Sequence, residues 1–140
     1  MPRIKVNLPD KYIFETEIPV RVTDLNYGGH LGNDSVLSIV HEARVRFFNH
    51  LGFTELDIDG KSILMVDALI NFIRESFYGD VLIIEINVGN IENKGCDIFY
   101  KISNKETGKM VAAVKTGIVF FDMQTKKIAS TPDKFKRQFI

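Results

Sequence analysis

Between Thr23 and Asp34 the chain reads TDLNYGGHLGND, which places two acids, two amides, an imidazole and three glycines within twelve positions. Asp24 and Asn26 stand two apart, so in extended backbone their side chains point the same way. His30 follows in a glycine-flanked loop. Imidazole is the side chain that changes charge nearest neutral pH, which fits His30 for activating a water, with Asp24 able to orient it. The amide of Asn26 can orient water or donate to an oxygen but has no useful basicity. Gly32, Asn33 and Asp34 lead into the next element, and the free N–H groups of a helix's first turn attract an anion or a carbonyl oxygen gaining negative charge. The same residues also suit a plain connection. Gly28, Gly29 and Gly32 permit positive φ, Asp24 and Asn26 make local turn bonds, and Asn33 or Asp34 caps a helix.

The elements that must position these residues follow from periodicity. Phe14, Thr16, Ile18, Val20 and Val22 alternate with Glu15, Glu17, Pro19 and Arg21, the period of a half-buried strand. Pro19 cannot donate to a ladder, which assigns it to an edge strand, a first strand or a bulge. After Asp34 the period changes: Val36, Val40, Ala43, Phe47 and Leu51 recur at steps of three and four, flanked by Leu37 and Phe48, as on an amphipathic helix. Asn33, Asp34 or Ser35 can cap its start and Gly52 its end, for about 17 residues and roughly 25 Å.

Four further segments, ILMVDALINFI, VLIIEINVGNI, CDIFYKIS and GKMVAAVKTGIVFFD, are strand-like and separated by the turn material ESFYGD, ENKG and NKETG. Connections this short predict an antiparallel meander. One strand, one long helix and four strands define an α+β domain, residues 1–140, in which a curved five-stranded antiparallel sheet wraps the helix. The basic tail MQTKKIASTPDKFKRQFI carries a proline stop and can finish in a helical turn.

Composition narrows the function classes. Eighteen Lys and Arg balance 18 Asp and Glu, so no surplus field draws in a phosphate backbone or an anionic bilayer, and neither nucleic acid nor membrane is an expected partner. The absence of a long apolar run and of a signal-peptide core in MPRIKVNLPD gives a soluble, cytoplasmic expectation. Lone Cys96 reads as an inert strand residue, and His30, His41 and His50 lack metal-ligand spacing. No nucleophile elbow, P-loop or dinucleotide fingerprint is present, and no metal or cofactor is expected.

VRVTDLNYGGHLGNDSVLSIVHEARVRFF resembles the signature of hot-dog-fold acyl-CoA thioesterases of the 4-hydroxybenzoyl-CoA thioesterase type, in which Asp-x-Asp precedes Gly-His or Gly-Val and a later Glu-x-Ala-Arg. DALINFIRESFYGDVLIIEINV and KMVAAVKTGIVFFD resemble later strands of that family, so the likeness spans about residues 14–123. It implies a hot-dog fold, hydrolysis of an acyl-CoA or acyl carrier protein thioester, no cofactor, and a homodimer or homotetramer with sites at the subunit interface. It places the family's catalytic carboxylate on Asn26, its Gly-His pair on Gly29 and His30, and the N–H that polarises the thioester carbonyl on Asn33. Asn26 departs from the family.

His30, Asp24, Glu42 and Asp67 are the candidates for the missing base. Glu42 and Arg44 belong to HEAR, and Glu42, pointing away from the Val36, Val40, Phe47 stripe, reads as part of a surface or subunit-interface ion pair. Asp67 interrupts the apolar run ILMVDAL in an expected core strand, so its carboxylate needs a partner there, either at the helix start of its own or a partner subunit or in an interface hydrogen bond. The expected catalytic set is therefore Asn26, His30 and Asp24, and the expected substrate-binding set Gly32, Asn33, Asp34 and Asp67. Arg74, Lys94, Lys101 and Lys115 are too scattered to define a nucleotide site. The departure at Asn26 keeps a second reading open, a non-catalytic acyl-thioester sensor or carrier. A hydroxyacyl-thioester dehydratase fits less well, because no His-Phe-Pro-Gly-like segment is present.

Overall fold

The computed structural model describes residues 2–139. Its centre is helix α1, Asn33–His50, on which Val36, Val40, Ala43, Phe47 and Phe48 of the expected stripe are buried together with Ile39, whereas Leu51 is half-buried and Leu37 exposed. The helix start differs from expectation. Gly32, in extended backbone, is the N-cap, and no side chain among Asn33, Asp34 and Ser35 caps it. The end follows the sequence: Gly52 takes φ +87° and the Phe53 N–H donates to Phe48 O at 2.8 Å, closing the helix with a left-handed residue.

Around α1 curl β1 (Phe14–Pro19), β2 (Ser62–Phe72), β3 (Val81–Gly89), β4 (Gly95–Asn104) and β5 (Met110–Asp122). They are antiparallel, in the order β1-β3-β4-β5-β2. Short β6, Lys127–Ala129, adds a sixth strand against the end of β5. Leu82, Ile84 and Ile86 of β3, Ile98, Tyr100 and Ile102 of β4, and Val114, Thr116 and Ile118 of β5 face the helix and are buried. Pro19 lies on edge strand β1, where its missing donor costs no ladder bond. The chain leaves the strand there, and Val22–Asp24 form a 3₁₀ turn instead of continuing it.

The meander holds for β3, β4 and β5 but not for β2. The segment after β2 does not turn back as a hairpin: the Ile73 and Arg74 N–H groups both donate to Val111 O, at 2.9 and 3.1 Å. The chain then crosses to the opposite edge, where the Val20 N–H donates to Asp80 O at 2.8 Å and the Gly79 N–H to Val20 O at 3.2 Å. β2 is thus an edge strand, not a core one, and Leu64, Met65, Val66 and Phe72 are exposed on it.

Two packing features were invisible in the pattern. Arg44 is buried, with Nη1 donating to the Tyr100 hydroxyl at 3.4 Å and Nε to Glu55 Oε2 at 3.4 Å. The Tyr100 hydroxyl continues to Thr116 Oγ1 at 2.8 Å. Burial disfavours the guanidinium charge, but Tyr100 and Glu55 outweigh it and hold the Arg44 pKa above its usual value. The expected surface pairing of Glu42 is made with Arg46, at 2.9 Å, and not with Arg44, because the turn of the helix carries Arg44 inward. Arg46 also donates to Thr16 Oγ1 and Glu17 O, both at 2.9 Å, tying α1 to β1.

The tail closes one end of the core. Helix α2, Asp133–Lys136, drives Phe135 to full burial, with its ring 5.2 Å from Phe120, 6.2 Å from Phe48 and 6.3 Å from Phe53. Phe135→Ala is expected to lower unfolding free energy by about 3–5 kcal/mol, whereas exposed Met123→Ala stays within about 0.5 kcal/mol of wild type, as read by urea denaturation.

Candidate active site

Residues 24–32 form a closed loop. The Gly32 N–H donates to Asp24 O at 2.9 Å, Leu25 bridges Leu31, and the Asn26 N–H donates to His30 O at 2.8 Å. At its tip the Gly29 N–H donates to Asn26 O at 3.0 Å and Gly29 takes φ +84°, a turn followed by a left-handed residue that only glycine adopts without strain. This geometry decides what the side chains can do.

Asn26 Oδ1 accepts from the Gly28 N–H at 2.8 Å and the His30 N–H at 3.3 Å. Its Nδ2 has no partner among the described residues, so its free capacity is as a donor. The His30 ring lies over Gly28: a Cβ built there would stand 3.2 Å from Asn26 Oδ1 and 3.5 Å from His30 Nε2. At Gly32 a Cβ would meet Asp34 Oδ1 at 2.7 Å and Asn26 Cβ at 3.6 Å. Glycine at both positions lets Asn26 and His30 collect beside the helix start. The Asn33 and Asp34 N–H groups, first in α1, have no acceptor among the described residues, leaving two aligned donors for a ligand oxygen.

The crossover after β2 supplies groups that sequence reasoning missed. His30 bridges Phe77, its ring stacks edge-on to that phenylalanine at 5.8 Å, and the Leu31 N–H donates to Ser76 O at 2.8 Å. Glu75 Oε1 is 3.8 Å from His30 Nε2, within ion-pair range but longer than a direct hydrogen bond. The Ser76 hydroxyl is buried beside them without a hydrogen-bond partner among the described residues. The segment ESFYGD reads only as a turn in sequence, and its register against the loop is a tertiary matter.

Asp24 and Asp67 lie outside this cluster. The 3₁₀ turn breaks the alternation that would have aligned Asp24 with Asn26. Its buried carboxylate accepts from the Arg21 N–H at 2.8 Å, Nε at 3.2 Å and Nη2 at 3.1 Å. Burial pushes the Asp24 carboxyl up, but the bonds from Arg21 outweigh it and hold it below the usual carboxylate range. Asp24 thus anchors the loop. Asp67 follows a bulge in β2 and is exposed, contrary to a core placement. Its Oδ1 accepts from Lys115 Nζ and the Gly117 N–H, both at 3.0 Å. Lys115 and Gly117 alternate with buried Val114 and Thr116, so this pair lies on the sheet face turned away from α1.

Cys96 is buried in β4, and its thiol is pushed up to about 12, first by burial and then by Asp97. Among the described residues no group of three His, Cys, Asp or Glu side chains is placed to hold a metal ion, and no helix is long and apolar enough to cross a membrane.

One helix enclosed by an antiparallel sheet, with a polar loop at the helix start, defines a hot-dog-fold protein of the thioesterase kind. The chain belongs to the thioesterase-like superfamily, whose family model matches residues 20–139. Slr0204 of Synechocystis, a 1,4-dihydroxy-2-naphthoyl-CoA thioesterase, superposes with a TM-score of 0.80 over 88% of this chain and 92% of its own, at 21% identity. The DHNA-CoA thioesterase of Staphylococcus aureus gives 0.78 at 20% identity, covering 89% and 84%. SAV2348 of the same organism, solved in complex with CoA, gives 0.81 at 15% identity, covering 95% and 85%. No curated protein sequence matches the chain significantly.

The Asp24 clasp sets a pH dependence. A carboxyl depressed in the folded state contributes stability above its unfolded pKa, near 4, that is lost as pH falls through the lower folded value. Asp24→Asn is expected to lose about 1–3 kcal/mol at pH 7 and to show a shallower fall in stability below about pH 4, checked by urea melts at both pH values.

Proposed function

We propose that this protein is a thioesterase that hydrolyses an acyl-CoA or acyl carrier protein thioester to a carboxylate and a free thiol. The observation that carries this reading is the convergence of the Asn26 amide, the His30 imidazole and the Glu75 carboxylate beside the unpartnered N–H groups of Asn33 and Asp34. Family membership and likeness to proteins that act on CoA thioesters support the substrate class.

The chemistry follows from what each group has free. The Asn33 and Asp34 N–H groups donate to the carbonyl oxygen as it gains charge, a contribution of about 10²–10³ in rate at comparable sites. Asn26 Nδ2 donates to the attacking water or to the same oxygen. His30 takes the water's proton as the water oxygen bonds to the carbonyl carbon, and Glu75 stabilises the imidazolium. The C–S bond then breaks and His30 returns the proton to the leaving thiolate. Asn26 is not a base in this scheme. The family's usual carboxylate is replaced by a donor, and the acid-base work moves to His30 and Glu75. Asp67, on the opposite sheet face of its own subunit, would act only on a partner's substrate.

A homodimer is part of the proposal. Among the described residues β2 pairs only with β5, so its other edge is open there, and Leu64, Met65 and Val66 are exposed along it. A long apolar edge is what a second copy's strand would cover. Joining two β2 edges would extend the sheet across both subunits.

Free-thiol release from a panel of aliphatic and aromatic acyl-CoAs tests the reading. His30→Ala and Glu75→Gln are each expected to lower kcat by about 10²–10⁴. Asn26→Asp is expected to lower kcat as well, because it removes the free donor. A large gain of hydrolysis in Asn26→Asp would instead identify the wild type as a binding protein with a degenerate site. Leu64→Lys with Val66→Lys is expected to shift the protein from dimer to monomer in sedimentation or size-exclusion measurements.

A further inference from the structure

Residues 2–13 run as a strap across the sheet face turned away from α1. The Ile13 N–H donates to Ile86 O at 3.0 Å, and Asn87 Nδ2 donates to Lys11 O at 2.8 Å. At the far edge Asn71 clasps both sides of the strap, with Oδ1 accepting from the Val6 N–H at 2.7 Å and Nδ2 donating to Ile4 O at 2.9 Å. Between this end of the strap and β2 lies a cleft of about 740 Å³, within the usual range for a small-molecule site.

The lining of that cleft has one sign of charge. Arg3 and Lys5, two apart in extended chain, both reach it. No carboxylate lines it, and neither cation has an ion-pair partner among the described residues. Arg74 follows the lining residue Ile73 and is bonded to Met110 O at 2.9 Å, outside the lining itself. The wall is apolar: Ile70, Phe72, Ile73 and Met110 line it, and Phe72 is half exposed. Cations beside an accessible aromatic surface suit a purine carrying phosphates, since the ring stacks on the aromatic face and the phosphates pair with guanidinium and ammonium groups.

We infer that this cleft binds the 3′-phosphorylated ADP end of coenzyme A, with Arg3 and Lys5 on its phosphates and Phe72 against its adenine. The inference rests on the acyl-CoA reading above and adds a subsite remote from the loop. Cleft and loop are joined by one run of chain: Ile73 lines the cleft and Glu75, two residues on, faces His30. That is about 7 Å of extended backbone, so a handle seated in the cleft lies on the approach to the acid-base pair. The strap is thus a recognition element that sets full-length CoA thioesters apart from truncated ones. The four cations singled out in the sequence do not form this site. Its two cations, Arg3 and Lys5, precede β1, and Arg74 only adjoins the lining through Ile73 and its bond to Met110 O.

Two measurements with the full chain test this. Adenosine 3′,5′-bisphosphate is titrated calorimetrically into wild type and into the Arg3→Glu/Lys5→Glu variant, whose unpaired surface positions leave folding intact, as thermal melts check. The ratio of kcat/KM for an acyl-CoA to that for the matching S-acyl-N-acetylcysteamine, which lacks the nucleotide, is measured in both. Saturable nucleotide binding that weakens at least tenfold in the variant, with a similar fall in the ratio carried by KM, is the expected result. Arg3→Gln/Lys5→Gln should fall between the two. Nucleotide binding and ratio unchanged in both variants would overturn the inference while leaving the thioesterase intact. Nucleotide binding through Arg3 and Lys5 without hydrolysis of any thioester would uphold the cleft and sink the catalytic reading instead.

Discussion

Burial of α1 is the constraint on which the rest of the structure depends. Phe47, Phe48, Val40 and Ala43 have no solvent-exposed surface, and a helix with so broad an apolar stripe needs a surface that curves around it. Five strands supply that surface, with α2 sealing one end through Phe135 and the 24–32 loop meeting the other. Once the helix is enclosed, the N–H groups of Asn33 and Asp34 in its first turn are left without an acceptor among the described residues. The placement of the site follows from the packing.

Enclosure also explains the polar network in the core. Arg44 lies on the inward side of the helix, where an unpaired guanidinium would carry a heavy desolvation cost. Tyr100 and Glu55 give it acceptors, Thr116 bonds the Tyr100 hydroxyl in turn, and His41 Nε2 stands 3.1 Å from the remaining Glu55 oxygen. Removing one member would strand the others in a medium where they cannot rehydrate. This network fixes the rotation of α1 about its axis, and with it the direction of the N–H groups at Asn33 and Asp34.

On the proposed thioesterase reading, Asn26 illustrates how a loop can keep its shape while its chemistry moves. An amide oxygen makes the two turn bonds to Gly28 and His30 that a carboxylate would make, so the backbone geometry suits either side chain. What changes is the atom left over: a carboxylate would present a second acceptor, whereas Asn26 presents a donor. Glu75 brings a carboxylate to the same neighbourhood from a different element, 3.8 Å from His30 Nε2, on the crossover between opposite sheet edges.

The sequence by itself determined the helix, the strand segments, the edge character of β1 and the sharp loop before α1. These are local: alternation, a 3.6-residue period, proline's missing donor and glycine's freedom at positive φ are each written in a few neighbouring residues. It also singled out Asn26 and His30, because their types stand out in a loop. Tertiary structure alone decided the rest. β2 lies beside β5 because hydrogen bonds to Val111 carry the chain past a hairpin. Asp24 turned away because a 3₁₀ turn replaced a strand, and Asp67 settled on the outer face through a bulge. Glu75 met His30 and the strap formed its cleft through contacts between residues 45 to 67 positions apart. Such contacts depend on register and crossover, and no period within a single element encodes them.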